Sequence, residues 1–160
     1  MNYREWLGTV PDAIKRDSVW QSEAYRLALF AADLAWHDAT KLIRDKRTIS
    51  LADQLMRAAG GVSADIKEGY SRGTGKDRAR FYEYGLGSGR EARGWYFKGR
   101  QVLGEAVASH RIDLFTQIIR LLLTMVPDQR GQVLREEPIP YQTLSDPVEP
   151  SGLLEQVPLP

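Results

Sequence analysis

The 160-residue sequence contains no cysteine. That excludes a disulfide framework, a thiolate zinc site and a cysteine nucleophile. Histidine is nearly absent too: there are two, His37 and His110, and neither has a glutamate three residues before it. The Glu-x-x-His pairs of di-iron bundles are therefore missing, and no metal or other cofactor is expected. Long apolar runs are lacking. The most apolar stretch, 118–126, is interrupted by Arg120 and falls far short of the ~20 residues that span a membrane. Residues 1–18 have no apolar core of signal-peptide length, so a cytoplasmic protein with no membrane partner is expected. No segment alternates β-branched with polar residues, and no sheet is expected. Net charge is almost absent, at +1, which on its face argues against a nucleic-acid binder. What remains, 42% hydrophobic and 27% charged residues, is the make-up of an ordinary folded domain.

The near-neutral total conceals an uneven chain. Seven of the eight prolines lie in 127–160, a segment with six acids and two bases. Proline cannot sit inside a helix or a central strand, so this part reads as an acidic, extended tail. Residues 41–100 hold fourteen bases and seven acids, a basic middle. The asymmetry reopens the question of an acidic partner.

Between arm and tail the chain reads as four helices. From Ser18 to about Asp45 there is no proline or glycine. Trp20, Ala24, Leu27, Ala31 and Leu34 recur there at the spacing of one helix face, with Ser18 as cap. A second helix, about 50–70, is capped by Ser50, carries the stripe Leu51, Leu55, Ala58, Val62 and Ile66, and ends at Gly69 and the glycine-rich run after it. A third, about 76–103, presents Phe81, Tyr84, Ser88, Ala92 and Trp95 and is closed by Gly104. It holds five internal glycines, Gly85, Gly87, Gly89, Gly94 and Gly99. Each costs about 1 kcal/mol relative to alanine, and close approach of a neighbouring helix is the usual compensation. A fourth, about 109–126, turns Ile112, Phe115, Ile118, Ile119, Leu122 and Met125 inward and is stopped by Pro127. The expectation is an all-α, antiparallel up-down four-helix bundle over 18–126, with an N-terminal arm (1–17) and a Pro-rich extended C-terminal tail (127–160). Trp95, Tyr96 and Phe97 are consecutive, and successive helical residues point about 100° apart, so they cannot all face one core. A second covered surface, and hence a homo-oligomer or a docked tail, is expected.

Motifs for chemistry are weak. The run 72–77 lacks the first glycine and the hydroxyl of a phosphate loop, and it follows a helix instead of a strand. Ser88, between Gly87 and Gly89, has no strand-turn-helix elbow around it. Asp33 and His37, one turn apart, read as a surface pair. No catalytic set is present, and the chain reads as non-enzymatic. The polar residues Gln54, Arg57, Asp65, Glu68, Arg80, Ser88 and Glu91 are more informative. They lie on or beside the apolar stripes of the second and third helices, where arginines and carboxylates can form an interhelical network that keeps the acids ionised. A catalytic carboxylate pair is the alternative. Candidate nucleic-acid contacts are Lys46, Arg47, Arg72, Lys76, Arg78, Arg93, Lys98 and Arg100. The clusters 46–47 and 72–78 fall in turns at opposite ends of an up-down bundle, so a single footprint requires an oligomer that gathers them.

Residues 54–95 carry a resemblance. Gln54, Arg57, Ala58, Val62, Ala64, Ile66, Glu68, Gly69, Arg80, Phe81, Gly87, Ser88 and Glu91 match the pattern of the four-helix bundle protein family, small bacterial proteins first noticed as products of intervening sequences in 23S ribosomal RNA genes. The region of Trp20 and Tyr25 resembles the start of that family's first helix. The sequence departs at Gly61, Ser63 and Asp65, where the pattern has Ser, Pro and Asn, and 127–160 lies outside it. The resemblance implies an up-down subunit assembled into a ring, commonly a pentamer. It also implies a distant relation to the basic accessory protein of diversity-generating retroelements, suited to RNA, DNA or a nucleic-acid-binding protein. No catalytic residue carries over. Two functions follow: an oligomeric module binding nucleic acid or a nucleoprotein through basic helix ends, or a scaffold whose acidic tail docks on a neighbouring subunit or partner.

Overall fold

The structure, a computed structural model, describes residues 2–130 and 150–160. Four long helices form the body: α3 (Glu23–Leu42), α4 (Ile49–Tyr70), α5 (Gly75–Leu103) and α6 (Glu105–Arg130). Two short ones, α1 (Tyr3–Thr9) and α2 (Asp12–Lys15), precede them, and α7 (Pro150–Glu155) follows. There is no strand among the described residues. Consecutive long helices pack on one another, and α3 also meets α6, which closes the bundle. The Lys41 ammonium donates to the Leu103 carbonyl at 3.4 Å, so the α3–α4 turn and the α5–α6 corner share one end. That corner is a single residue, Gly104, at φ +95°, a backbone that only glycine adopts without strain.

The stripes of α3, α4 and α6 meet in one core. Phe30, Leu34, Leu42, Leu55, Ile66, Phe115 and Ile118 are fully buried, each side chain contributing about 1.5–3 kcal/mol of transfer free energy. The stripe expected on α5 is displaced. Its buried face is Tyr82, Gly85, Leu86, Gly89, Ala92, Tyr96, Gly99 and Leu103. Phe81, Ser88 and Trp95 are half-buried and Tyr84 is exposed. The rings misled because half of the true inner face is glycine or alanine: these bring α5 close to α4 and α6, while Phe81, Tyr84 and Trp95 fall to the rim and Tyr82 and Tyr96 turn in. A Cβ at Gly89 would lie 3.2 Å from Ile119, and one at Gly99 3.3 Å from Leu42. Gly87 and Gly94 face open space, so close approach explains only part of the set.

Helix ends also differ from the sequence reading. Ser18 starts a 3₁₀ turn capped by Asp17, and α3 begins at Glu23, where the Ser22 hydroxyl accepts from the Tyr25 N–H at 3.4 Å. Ser50 lies within α4 and does not cap it. Gly69 sits inside the last turn of α4, pressed against the Tyr82 ring. Gly104 starts α6 four residues earlier than expected, at Glu105. Pro127 does not stop α6, which runs on to Arg130. Without an N–H, Pro127 cannot donate to the Leu123 carbonyl, a loss the next turn offsets by gripping α5. There Arg130 pairs with Glu83 at 2.8 Å and the Gln129 carbonyl closes on Gly75, where no Cβ fits.

The first residues are folded onto the bundle. Asn2 and Glu5 form a capping box on α1. This aims Trp6, 1% exposed, at Phe30, with its indole N–H donating to Asp33 at 2.6 Å. Asp33 is thus held by Trp6, where a pair with His37 was expected. Part of the C-terminal segment is helical: Pro150 opens α7, a position where the missing N–H costs nothing. Residues 131–149, the rest of the expected tail, lie outside the described residues.

Candidate functional site

The polar residues singled out from the sequence line the outer seam between α4 and α5, but they do not join into an Arg–carboxylate network. One bond crosses between the helices: the Ser88 hydroxyl donates to Asp65 at 3.1 Å, over Gly61. The other pairs are local along the chain. Arg57 meets Asp53 at 2.9 Å, Arg72 meets Glu68, Arg80 Nε donates to the Tyr84 hydroxyl at 2.9 Å, and the Trp95 indole donates to Glu91 at 3.0 Å. Gln54 is half-buried on α4. The reason is spacing: each of these pairs is four residues apart, and an i,i+4 partner is met before one across the seam. Partial burial raises the Asp65 carboxyl above its ordinary range, the Ser88 hydrogen bond opposes that, and Glu68 adds to it. No arginine holds it down, contrary to the sequence reading.

The basic residues divide as their turns dictate. Lys46 is exposed in the α3–α4 turn, and its neighbour Arg47 binds Asp45 through two side-chain bonds at 3.0 and 2.6 Å. The Arg47 hydrogen bonds hold the Asp45 carboxyl down to about 2. At the other end Arg78 Nε donates to the Arg72 carbonyl at 2.8 Å and Lys76 is exposed. Arg93 turns to α6 and donates to Thr116 at 3.1 Å. Four cations lie against rings along α5: Arg72 over Phe81 (4.3 Å), Arg80 by Tyr84 (5.8 Å), Lys98 over Trp95 (4.2 Å) and Arg100 over Phe97 (4.0 Å). Tyr84 and Phe97 are 47% and 56% exposed. Arg72 Nε is buried and has no hydrogen-bond partner among the described residues.

The strongest polar cluster escaped the sequence reading. Asp38 of α3 and Arg111 of α6 are both fully buried. Arg111 Nε donates to Asp38 Oδ2 at 2.8 Å and a terminal nitrogen donates to Oδ1 at 3.2 Å. The Tyr96 hydroxyl of α5 donates to Asp38 at 2.8 Å. Burial first, and then the Asp38 charge, push that phenol well above its usual range. A signal was present: Asp38 stands in phase between Leu34 and Leu42, and Arg111 in phase with Phe115 and Ile118. A charge on the apolar stripe of each of two helices marks a buried pair.

Among the described residues no His, Asp and Glu cluster could hold a metal ion, and no helix is long and apolar enough to cross a membrane. No curated protein matches the sequence. A crystal structure of a protein of unknown function from the S23 ribosomal protein family of Bacteroides thetaiotaomicron is similar in fold. It superposes with a TM-score of 0.61 at 15% identity, over 64% of this chain and 97% of that one. The model of the 23S rRNA-intervening sequence protein family matches residues 19–123, from the 3₁₀ turn before α3 nearly to the end of α6. The chain belongs to the 23S rRNA-intervening sequence protein family.

Proposed function

We propose that the protein is a non-enzymatic, homo-oligomeric bundle that binds nucleic acid, alone or in a nucleoprotein, across the outer side of α5. The observation that supports this most is the set of cation–ring pairs at Phe81, Tyr84 and Trp95, which share one flank of α5. At 1.5 Å per residue, 81 to 95 spans about 21 Å, room for several nucleotides. Exposed rings stack on bases of any sequence and adjacent cations meet the phosphates, the pairing that single strands require. Exposed Trp36, Ile43 and Ile49 on α3 and α4 favour self-association, in keeping with a ring that would bring the two basic ends of neighbouring subunits together. Polarisation titrations with single-stranded RNA, single-stranded DNA and structured RNA test it. Affinity should fall linearly with salt on logarithmic axes, and Tyr84→Ala or Trp95→Ala should each cost about 1–3 kcal/mol of binding. No binding at low salt, or binding without a salt slope, overturns the reading.

A second reading, a scaffold whose C-terminal segment docks on a neighbouring subunit or partner, is favoured by the seat that 153–160 finds beside α3 and α6. Deleting 131–160 should then change assembly mass or partner capture.

A further inference from the structure

Residues 153–160 are bound as a ligand is bound. Leu153, Leu154 and Val157 pack against the core. Leu154 lies by Tyr3, Leu7, Trp20 and Leu27, while Leu159 and Pro160 lie by His37, Lys41 and Arg44. The segment therefore follows α3 from the level of Leu27 to that of Arg44. Two consecutive α6 side chains read its backbone. His110 Nε2 donates to the Leu153 carbonyl at 2.6 Å, and Arg111 donates to the Pro158 carbonyl at 2.9 Å. Arg111 is held for this by its two bonds to Asp38, so the donor is set in place whether or not the segment is there. Main-chain carbonyls read by fixed donors, with apolar side chains seated between them, are how grooves recognise extended peptides. Nineteen residues separate Arg130 from Pro150, a contour of about 65–70 Å for its twenty peptide steps. The return along α6 from Arg130 to His110 is about 30 Å. The connection is twice as long as that path, so the segment can leave and return while the bundle stays folded.

We propose that the seam between α3 and α6 is a peptide-recognition groove for a short helical turn running into an extended apolar segment, of the type Leu-Leu-x-x-Val-Pro-Leu-Pro, and that residues 153–160 occupy it as a releasable internal ligand. The imidazole is held in one tautomer. His110 is 8% exposed, and Arg111 donates to its Nδ1 at 2.9 Å, so the ring binds Leu153 as the neutral Nε2–H tautomer. A second proton would face an N–H already pointing at Nδ1. The charges around the ring are Arg111 and Asp113 on α6 and Asp38 on α3. Burial first, and Arg111 with it, hold the imidazole below its usual 6.5 against the Leu153 bond and the two carboxylates.

The test uses the full chain carrying Leu153→Asp and Val157→Asp, which disables its own segment, with a fluorescent peptide of residues 150–160 as probe. The peptide should bind this variant at least about tenfold more tightly than it binds the unaltered chain, where the tethered segment competes at an effective concentration on the order of millimolar. Binding should weaken by about three- to tenfold in His110→Ala, which loses the donor to the Leu153 carbonyl. Failure to bind a variant that still melts cooperatively, equal binding to both chains, or an affinity untouched by His110→Ala overturns the proposal. Native-state hydrogen exchange on the unaltered chain guards against a variant that does not fold. Amides of 153–157 should open far more readily than those of 110–122, and a common opening free energy overturns the proposal. The inference shares its segment with the scaffold reading but does not rest on it. Peptide binding together with unchanged assembly and partner capture after deletion keeps the groove and removes the scaffold.

Discussion

Replacing Asp38 with alanine probes the pair that ties α3, α5 and α6 together. Both partners are fully buried, so the change leaves the Arg111 guanidinium in the core without a counter-charge. Breaking a buried pair on one side costs about 3–5 kcal/mol. The Tyr96 hydroxyl, equally buried, loses its acceptor, a further penalty of about 1–3 kcal/mol. The groups form one network and the losses overlap, so the expected destabilisation is about 4 kcal/mol, set against a domain stability of about 5–15 kcal/mol. At about 2–4 °C per kcal/mol for a chain of this size, Tm should fall by roughly 8–16 °C. Urea unfolding followed by circular dichroism measures it directly. The control is Asp38→Leu combined with Arg111→Met, which removes both charges and refills the volume. Such replacements are often neutral or stabilising, so this double variant should lie within about 2 kcal/mol of the parent. A single variant within about 1 kcal/mol of the parent, or a double variant as unstable as the single, refutes the account of a costly buried charge held by its partner.

Other expectations are simpler. Gly87→Ala and Gly94→Ala, which add a methyl in open space on a helix, should each stabilise by about 0.5–1 kcal/mol. Leucine at Gly85 or Gly89, which face Leu122 and Ile119, should disrupt the bundle, and a normal melting temperature for either refutes close packing there. Asp65→Asn keeps the acceptor for Ser88 and removes a charge that burial disfavours. Because the native carboxyl sits above its unfolded value, it is least favourable when ionised. The variant should melt higher at neutral pH, with the advantage closing as pH falls to about 4, and a pH-independent difference contradicts this. Trp6→Ala should cost about 3–5 kcal/mol, since the ring is buried against Phe30 and bonded to Asp33; a loss below about 1 kcal/mol in urea titration means α1 rests on the bundle without supporting it.

Much of this molecule is legible from residue order. The stripes of α3, α4 and α6 are periodic in large aliphatic residues, and periodicity in large residues has one reading. On α5 the same rule failed, because the inner face is glycine and alanine with Tyr82, Leu86 and Tyr96, while the rim is Phe81, Tyr84 and Trp95. Ring size outweighed phase. The motif residues from Gln54 to Glu91 do lie along one seam, yet their partners could not be chosen from spacing alone. Arg57 and Asp53 are as well placed for each other on one helix as any pair across the groove, and the near partner wins because less side-chain freedom is lost.

Local order determined the helical class, the presence of turns before 50 and at about 71–75, the end of α5 at Gly104 and the family; that the corner there is a single residue was not legible. These follow from backbone preference and from apolar periodicity, both of which act within a few residues along the chain. Tertiary structure alone decided that Asp38 meets Arg111 across seventy-three positions, that Trp6 reaches Phe30, and that 153–160 returns to His110. Burial strips water from these groups, and the partner that replaces it is set by where whole helices come to rest, which no short window of sequence contains.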